Sequence, residues 1–186
     1  MDIAIEAFSL VQKRVANCEF HIYGGGDEKT ELIALTEKLG LNDKVKIFDG
    51  APLETIADLI SNADLGVVPK RADSFGNEAY STKIMEFMSQ GIPVVVSRTK
   101  IDNFYFDSSV VRFFTSGDVK ALAEAMCEVI ENGALREKLI AGGYRYVDIH
   151  SWDRRKNEYL NLVDTLSTQI FSSADSQAIA PVPVDR

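Results

Sequence analysis

Strands alternating with helices five times predict an α/β protein built on a doubly wound, Rossmann-like parallel sheet flanked by helices. Two observations carry this. The strand candidates are short, continuous apolar runs, as in strands covered on both faces. The stretches between them carry apolar residues at helical spacing, which suits the crossovers that parallel strands require. The chain has 186 residues, 46% hydrophobic and 26% charged, enough for one ordinary domain with a tail. A core of that size is stable without staples.

Residues 2–15 place Ile3, Ala7, Phe8, Val11 and Val15 on one helical face. No strand or cap precedes this helix, so the chain is expected to begin partway through a larger protein. Residues 18–23 read as a buried strand ending at Gly24, Gly25, Gly26 and Asp27. Residues 28–39 read as a helix stopped by Gly40. A second strand, 45–48, closes at Asp49 and Gly50, and Pro52 suits the first turn of a helix through 62. Strand 64–68 stops at Pro69, and 70–77 form a polar loop. A helix and strand 94–96 follow, then strand 110–114 and helices near 118–131, 134–149 and 152–166. Residues 1–168 are expected to form the domain. Residues 169–186, rich in Ser, Ala and Pro, are expected to be a flexible tail.

Charge and cysteine usage exclude several classes. Net charge is -8 and the pI about 4.8, with no basic cluster longer than Arg154, Arg155 and Lys156. Nucleic acid is therefore not an expected partner. Cys18 and Cys127 match no metal or redox spacing and read as buried cytosolic thiols. Apolar runs reach four or five residues, and helix-like sequence follows Met1 at once, so neither a membrane span nor a signal peptide is expected. The expected location is cytoplasmic, at most peripheral to the inner face of the membrane.

Ligands in such sheets sit beyond the carboxyl ends of the strands. The candidate loops are therefore 24–27, 49–52, 69–82 and 97–103. The stretch that organises them is 78–96, EAYSTKIMEFMSQGIPVVV, with Glu78 and Glu86 eight positions apart. Eight residues span little over two helical turns, which sets Glu78 at or just before the helix start and Glu86 on roughly the same face. The amides of Tyr80, Ser81 and Thr82 would point out of that start and, with the helix dipole, suit a phosphate; Lys83 would add positive charge. A carboxylate within the helix suits a ribose diol, and one at the loop edge reaches a sugar hydroxyl. Most glutamate pairs on helices merely face solvent. Here Glu86 lies between Ile84, Met85, Phe87 and Met88, where an unpaired charge is costly.

The order Glu78, seven residues, Glu86, then Phe-Met-x-x-Gly-x-Pro-Val-Val resembles the signature of family 4 retaining GT-B glycosyltransferases. Further likenesses lie in 2–8, in Ile22 to Gly26, in 45–50, in 62–69 and in His150, Ser151 and Trp152, so the resemblance covers about 2–166. It implies the C-terminal, nucleotide-sugar-binding half of a GT-B enzyme. Such an enzyme moves a hexose-type sugar from a UDP- or GDP-sugar to a glycan or lipid-linked acceptor, as in polysaccharide biosynthesis. By the same resemblance Glu78 is the catalytic-side carboxylate at the donor sugar. The amides of Tyr80, Ser81 and Thr82 meet sugar or diphosphate, Glu86 holds the ribose, and the loop from Phe48 to Ala51 faces the base. The departing diphosphate is neutralised electrostatically, and neither a metal nor any other cofactor is implied.

The sequence also departs from that pattern. Ala79, Tyr80 and Ser81 stand where the family often has Gly-Phe-Gly, and Arg98 to Asn103 replace a glycine-rich turn. The acceptor domain, and the Arg and Lys pair the family places before the first helix here, are not in these residues. The fragment is therefore expected to be nearly inactive alone. It is also expected to expose apolar faces on 2–15 and 152–166, which can drive a homodimer. His21 reads as a packing histidine, His150 as a cap, and Tyr144, Tyr146 and Trp152 as packing residues. Two other classes compete: half of a GT-B sugar-nucleotide 2-epimerase, against which the double-glutamate block stands, and a non-catalytic α/β binding or regulatory module. A receiver-type module would want an acidic cluster after the first strand and a lysine after the last, and neither is present.

Overall fold

The computed structural model describes residues 1–175, with side chains to 168. The expected tail therefore lies largely outside the described residues. The chain divides into two compact units, Met1–Val147 and Asp148–Arg186.

Helices and strands alternate as α1 Asp2–Val11, β1 Phe20–Tyr23, α2 Lys29–Lys38, β2 Val45–Phe48, α3 Leu53–Ser61, β3 Gly66–Val68, α4 Thr82–Ser89, β4 Val94–Ser97, α5 Lys100–Tyr105, β5 Arg112–Phe114, α6 Val119–Glu131, α7 Gly133–His150 and α8 Trp152–Asp175. All strand pairs are parallel. The strands form a pair, β1-β2, and a triple, β3-β4-β5, rather than one unbroken ladder.

Burial along β4 explains the doubly wound layering. Val94, Val95 and Val96 are all fully buried. Successive strand side chains point to opposite faces. Accordingly Val95 joins a cluster with α1, α2 and α6, through Ile5, Phe8, Leu32, Leu122 and Met126. Val94 and Val96 join Ile84 and Met88 of α4 with Phe106, Val111 and Phe113 on the other side. The pair β1-β2 is less covered than expected: His21 and Phe48 are exposed. His21 packs edge-on to Phe48 (5.6 Å), as a packing histidine, but at the surface, and its ring nitrogen lies 2.9 Å from Glu19.

Two helices end on glycine, at Gly40 as anticipated and also at Gly91. After α2 and α4, Gly40 and Gly91 take φ of 66° and 72°. In each case the glycine amide and the next amide fold back, as Gly91 to Met88 O (3.0 Å) and Ile92 to Phe87 O (3.0 Å) after α4. This is the Schellman pattern, which needs a left-handed residue and so favours glycine.

Four expectations need correction. The first helix stops at Val11, where the chain tightens into a turn with the amides of Lys13 and Arg14 bonded three residues back, to Leu10 O and Val11 O (3.2 and 2.9 Å). Its apolar face is not exposed: Ala4, Ile5, Ala7, Phe8 and Val11 are buried against α6 and α2. Part of loop 97–103 is helical, as α5. The last helix runs to Asp175, beyond 166. In the second unit, Trp152, Tyr159, Leu160, Leu162 and Leu166 of α8 are about half or more exposed, as expected for 152–166, and Trp152 packs on Tyr159 with ring centroids 5.6 Å apart.

Candidate functional site

The carboxyl ends of β3 and β4 place segments 69–82 and 97–105 side by side. The helix expected to begin near Glu78 begins at Thr82 instead, with Ser81 as N-cap in extended conformation. Glu78 therefore sits in a turn three residues before the extended N-cap, not on the helix face that carries Glu86. The cause is local. The amides of Glu78 and Ala79 both bond to Phe75 O (3.1 and 2.9 Å), closing a separate turn that ends before the helix can start.

The start of α4 is open. The Ser81 hydroxyl makes no capping bond to the helix. Among the described residues, the amides of Tyr80, Ser81 and Thr82 have no hydrogen-bond partner. Unsatisfied amides at a helix N-terminus carry partial positive charge and suit an anion. Lys83, in the first turn, is exposed with no partner among the described residues. Glu86 is half-buried, and Thr82 Oγ1 donates to its Oε1 at 3.0 Å. The Glu78 carboxylate is exposed and meets Lys100 Nζ at 3.2 Å.

Tyr80 presents only its backbone to this shelf. Its ring turns inward, edge-on to Tyr105 (4.9 Å) and stacked on Phe106 (5.9 Å). Burial, with a hydrogen bond to Tyr146, raises its phenol pKa well above the usual value, so the group stays protonated. Ala51 is half-buried between Gly50 and the start of α3. Beside that loop, Phe48 stacks on Tyr23 at 4.7 Å. A concavity of about 470 Å³ elsewhere, lined by Arg14, Glu124, Glu128, Glu131, Asn132 and Gly133, includes none of these residues. Its arginine is already paired with Glu124 and Glu131.

Several residues that hold the shelf were missed from sequence. Asp102 is fully buried; it accepts from Lys70 Nζ at Oδ1 (2.9 Å) and from Thr99 Oγ1 at Oδ2 (2.6 Å), and forms an ion pair with Lys70 (2.8 Å to Oδ2). Lys70 Nζ also donates to Ala79 O at 2.7 Å. Asn77 Oδ1 accepts from the Lys100 amide (3.0 Å), and Asn77 O from the Ile101 amide (3.2 Å). One signal was available: Thr99-x-x-Asp102 has the spacing of a capping box, and Thr99 does cap α5 through the Asp102 amide (3.2 Å).

The family model described as Glycosyl transferases group 1 matches residues 1–146. Phosphatidyl-myo-inositol mannosyltransferase of Mycobacterium leprae is 25% identical over 171 residues, 90% of this chain and 43% of that protein. The chain thus spans less than half the length of this curated relative. Among solved structures, the C-terminal domain of a glycosyl transferase group 1 family protein, LpcC, from Francisella tularensis superposes with a TM-score of 0.67 at 20% identity, covering 80% of this chain and 77% of that one. An S. aureus TarM mutant in complex with fondaparinux, alpha-GlcNAc-glycerol and UDP superposes with a TM-score of 0.73 at 21% identity, covering 87% of this chain and 32% of that one.

Proposed function

The chain belongs to the glycosyl transferases group 1 family, and on that premise we propose that it is the donor-binding, C-terminal half of a retaining, family 4 type GT-B glycosyltransferase. It binds a UDP- or GDP-sugar, from which the whole enzyme moves a hexose-type sugar to a glycan or lipid-linked acceptor. The single observation that carries this reading is the uncapped start of α4, with three free amides and carboxylates on either side. The diphosphate sits on the amides of Tyr80, Ser81 and Thr82, with Lys83 adding charge. Glu86, with Thr82 steadying its carboxylate, takes the ribose diol. Glu78 exchanges Lys100 for hydroxyls of the donor sugar, and Ala51 borders the base. Stabilising the departing diphosphate is electrostatic work that fixed amides perform without reorganisation, and the proposed mechanism uses no metal.

The site is an open shelf, as one wall of a cleft would be. On this reading an acceptor domain of the same protein supplies the opposite wall and further cations, and the fragment alone transfers little sugar. Among the described residues no helix is long and apolar enough to cross a membrane. We place the work on the cytoplasmic side, at most peripheral to the membrane. UDP of the S. aureus TarM complex is a nucleotide of the class proposed.

Calorimetric titration of the chain with UDP-, GDP- and ADP-sugars tests the reading. One of them should bind, and Glu86→Ala should weaken it roughly 10- to 100-fold, the loss of one or two hydrogen bonds to a charged group. No binding by any of the three, with Glu86→Ala indistinguishable from the parent, would sink the assignment.

A further inference from the structure

Asp102 is the one fully buried charged side chain among the described residues. Its partner Lys70 is 16% exposed and lies 32 positions away in sequence. Isolating two charges from water is expensive, and an apolar pair of similar volume would join two elements as well or better. What an apolar pair cannot do is bind a carbonyl. The Lys70 ammonium donates to Asp102 Oδ1 (2.9 Å) and to Ala79 O (2.7 Å), and Asp102 Oδ2 lies 2.8 Å away in the same ion pair. Ala79 directly follows Glu78. On the other side of Glu78, Asn77 is bonded by its carbonyl and its side chain to the first turn of α5. The loop's near end is held as well, since Ser116 Oγ donates to Lys70 O (2.8 Å) and accepts from the Ala72 amide (2.9 Å).

The backbone of Glu78 is thus clamped on both sides while its carboxylate stays exposed, held only by a surface ion pair to Lys100. Exposed ion pairs contribute little, so the carboxylate is free to change partners without moving its backbone. We infer that Lys70, held in place by Asp102, is the positioning residue for Glu78. The ammonium fixes the 79–80 peptide, directly after Glu78, relative to the start of α4, so that carboxylate and helix amides address two parts of one ligand: the sugar and the diphosphate of a nucleotide-sugar. This inference rests on the proposed function, and its own content is that sugar recognition depends on Lys70.

The test compares the affinity of the full chain for UDP-glucose with that for UDP, and for GDP-mannose with that for GDP. The parent should bind one nucleotide-sugar about tenfold more tightly than its bare diphosphate, the worth of one charge-assisted hydrogen bond. Lys70→Met should bring that ratio to about one while leaving the bare diphosphate within about threefold of the parent. The double variant Lys70→Met with Asp102→Leu removes the buried charge altogether. It should recover thermal stability, yet its ratio should stay near one. A purely structural bridge predicts the opposite, that restored stability restores the ratio. A ratio unchanged in Lys70→Met, or regained in the double variant, overturns the inference alone. If Lys70→Met does not fold, the double variant carries the same comparison. A parent that binds bare diphosphate without preferring the sugar overturns the inference and leaves the nucleotide site standing. A parent that binds no nucleotide overturns the proposed function, and the inference with it.

Discussion

At the scale of single residues, the chain puts charge where burial makes it costly and leaves it exposed where ligands are expected. Asp102 has no contact with water, and its partners are two side chains and its own helix start. Removing one member of such a pair strands the other, so Asp102→Ala should cost about 3–5 kcal/mol in urea unfolding, far more than Glu78→Ala at the exposed pair. Ser97 is the opposite case. Its hydroxyl is buried at the end of β4 with no partner among the described residues. A buried polar group without a hydrogen bond destabilises, so Ser97→Ala should raise stability by about 1 kcal/mol, seen as a higher melting temperature. Glu86 could be marked from sequence because it stands among apolar neighbours. Asp102 could not, because nothing within a few residues of it announces burial or names Lys70.

At the scale of elements, helix ends and close approaches decide what the site can be. Where α4 starts is set by the turn that Phe75 closes, and that turn detaches Glu78 from the helix. Apolar spacing shows a helix through Ile84 and Met88 but is silent about a competing turn upstream, hence the misplaced start. The six-residue α5 is too short to register as a periodic pattern, yet it anchors Asn77 and supplies Asp102. Close approach also governs α7. A Cβ at Gly142 would lie 2.1 Å from the Ser109 carbonyl oxygen. Backbone cannot swing aside as a side chain can. Gly142→Ala should therefore push α7 from the 109–110 segment and cost about 1–3 kcal/mol, the usual range for overpacking, read from the urea midpoint. Amide exchange should quicken along 109–114 if the displacement spreads into β5.

At the scale of the whole molecule, several carboxylates report on acid stability. The Asp107 carboxyl is held below its usual pKa by the Ser109 hydroxyl and then the Ser109 amide (2.5 and 2.7 Å). Asp49 is lowered by its hydrogen bond and charge contact with Lys29, and Glu19 by His21. A group whose folded pKa is depressed stabilises the fold above its unfolded pKa, and that contribution is lost as pH falls through the folded value. The urea midpoint should thus be insensitive to these groups above about pH 5 and fall below about pH 4, where free carboxyls begin to bind protons. Asp107→Asn should shallow that acid-side slope without changing its sign. An acid-side slope identical to the parent's would show that Ser109 does not stabilise the charged form.

What the sequence determined unaided is encoded over short distances: the order of the strands and of the helices other than α5, two-sided burial of β4 from three consecutive valines, the glycine stop at Gly40, and the double-glutamate block. These follow from side-chain period and backbone freedom, which neighbouring residues set between themselves. What only the tertiary structure decided is which distant groups meet. It buried α1 against α6, turned the Tyr80 ring away from the shelf, and brought Lys70 to Asp102 and to the Ala79 carbonyl. A buried charge finds its partner through where two loops pass in space, and no local pattern carries that. The organising stretch was visible from its glutamates; what holds Glu78 in place was visible only once α5 had closed beside it.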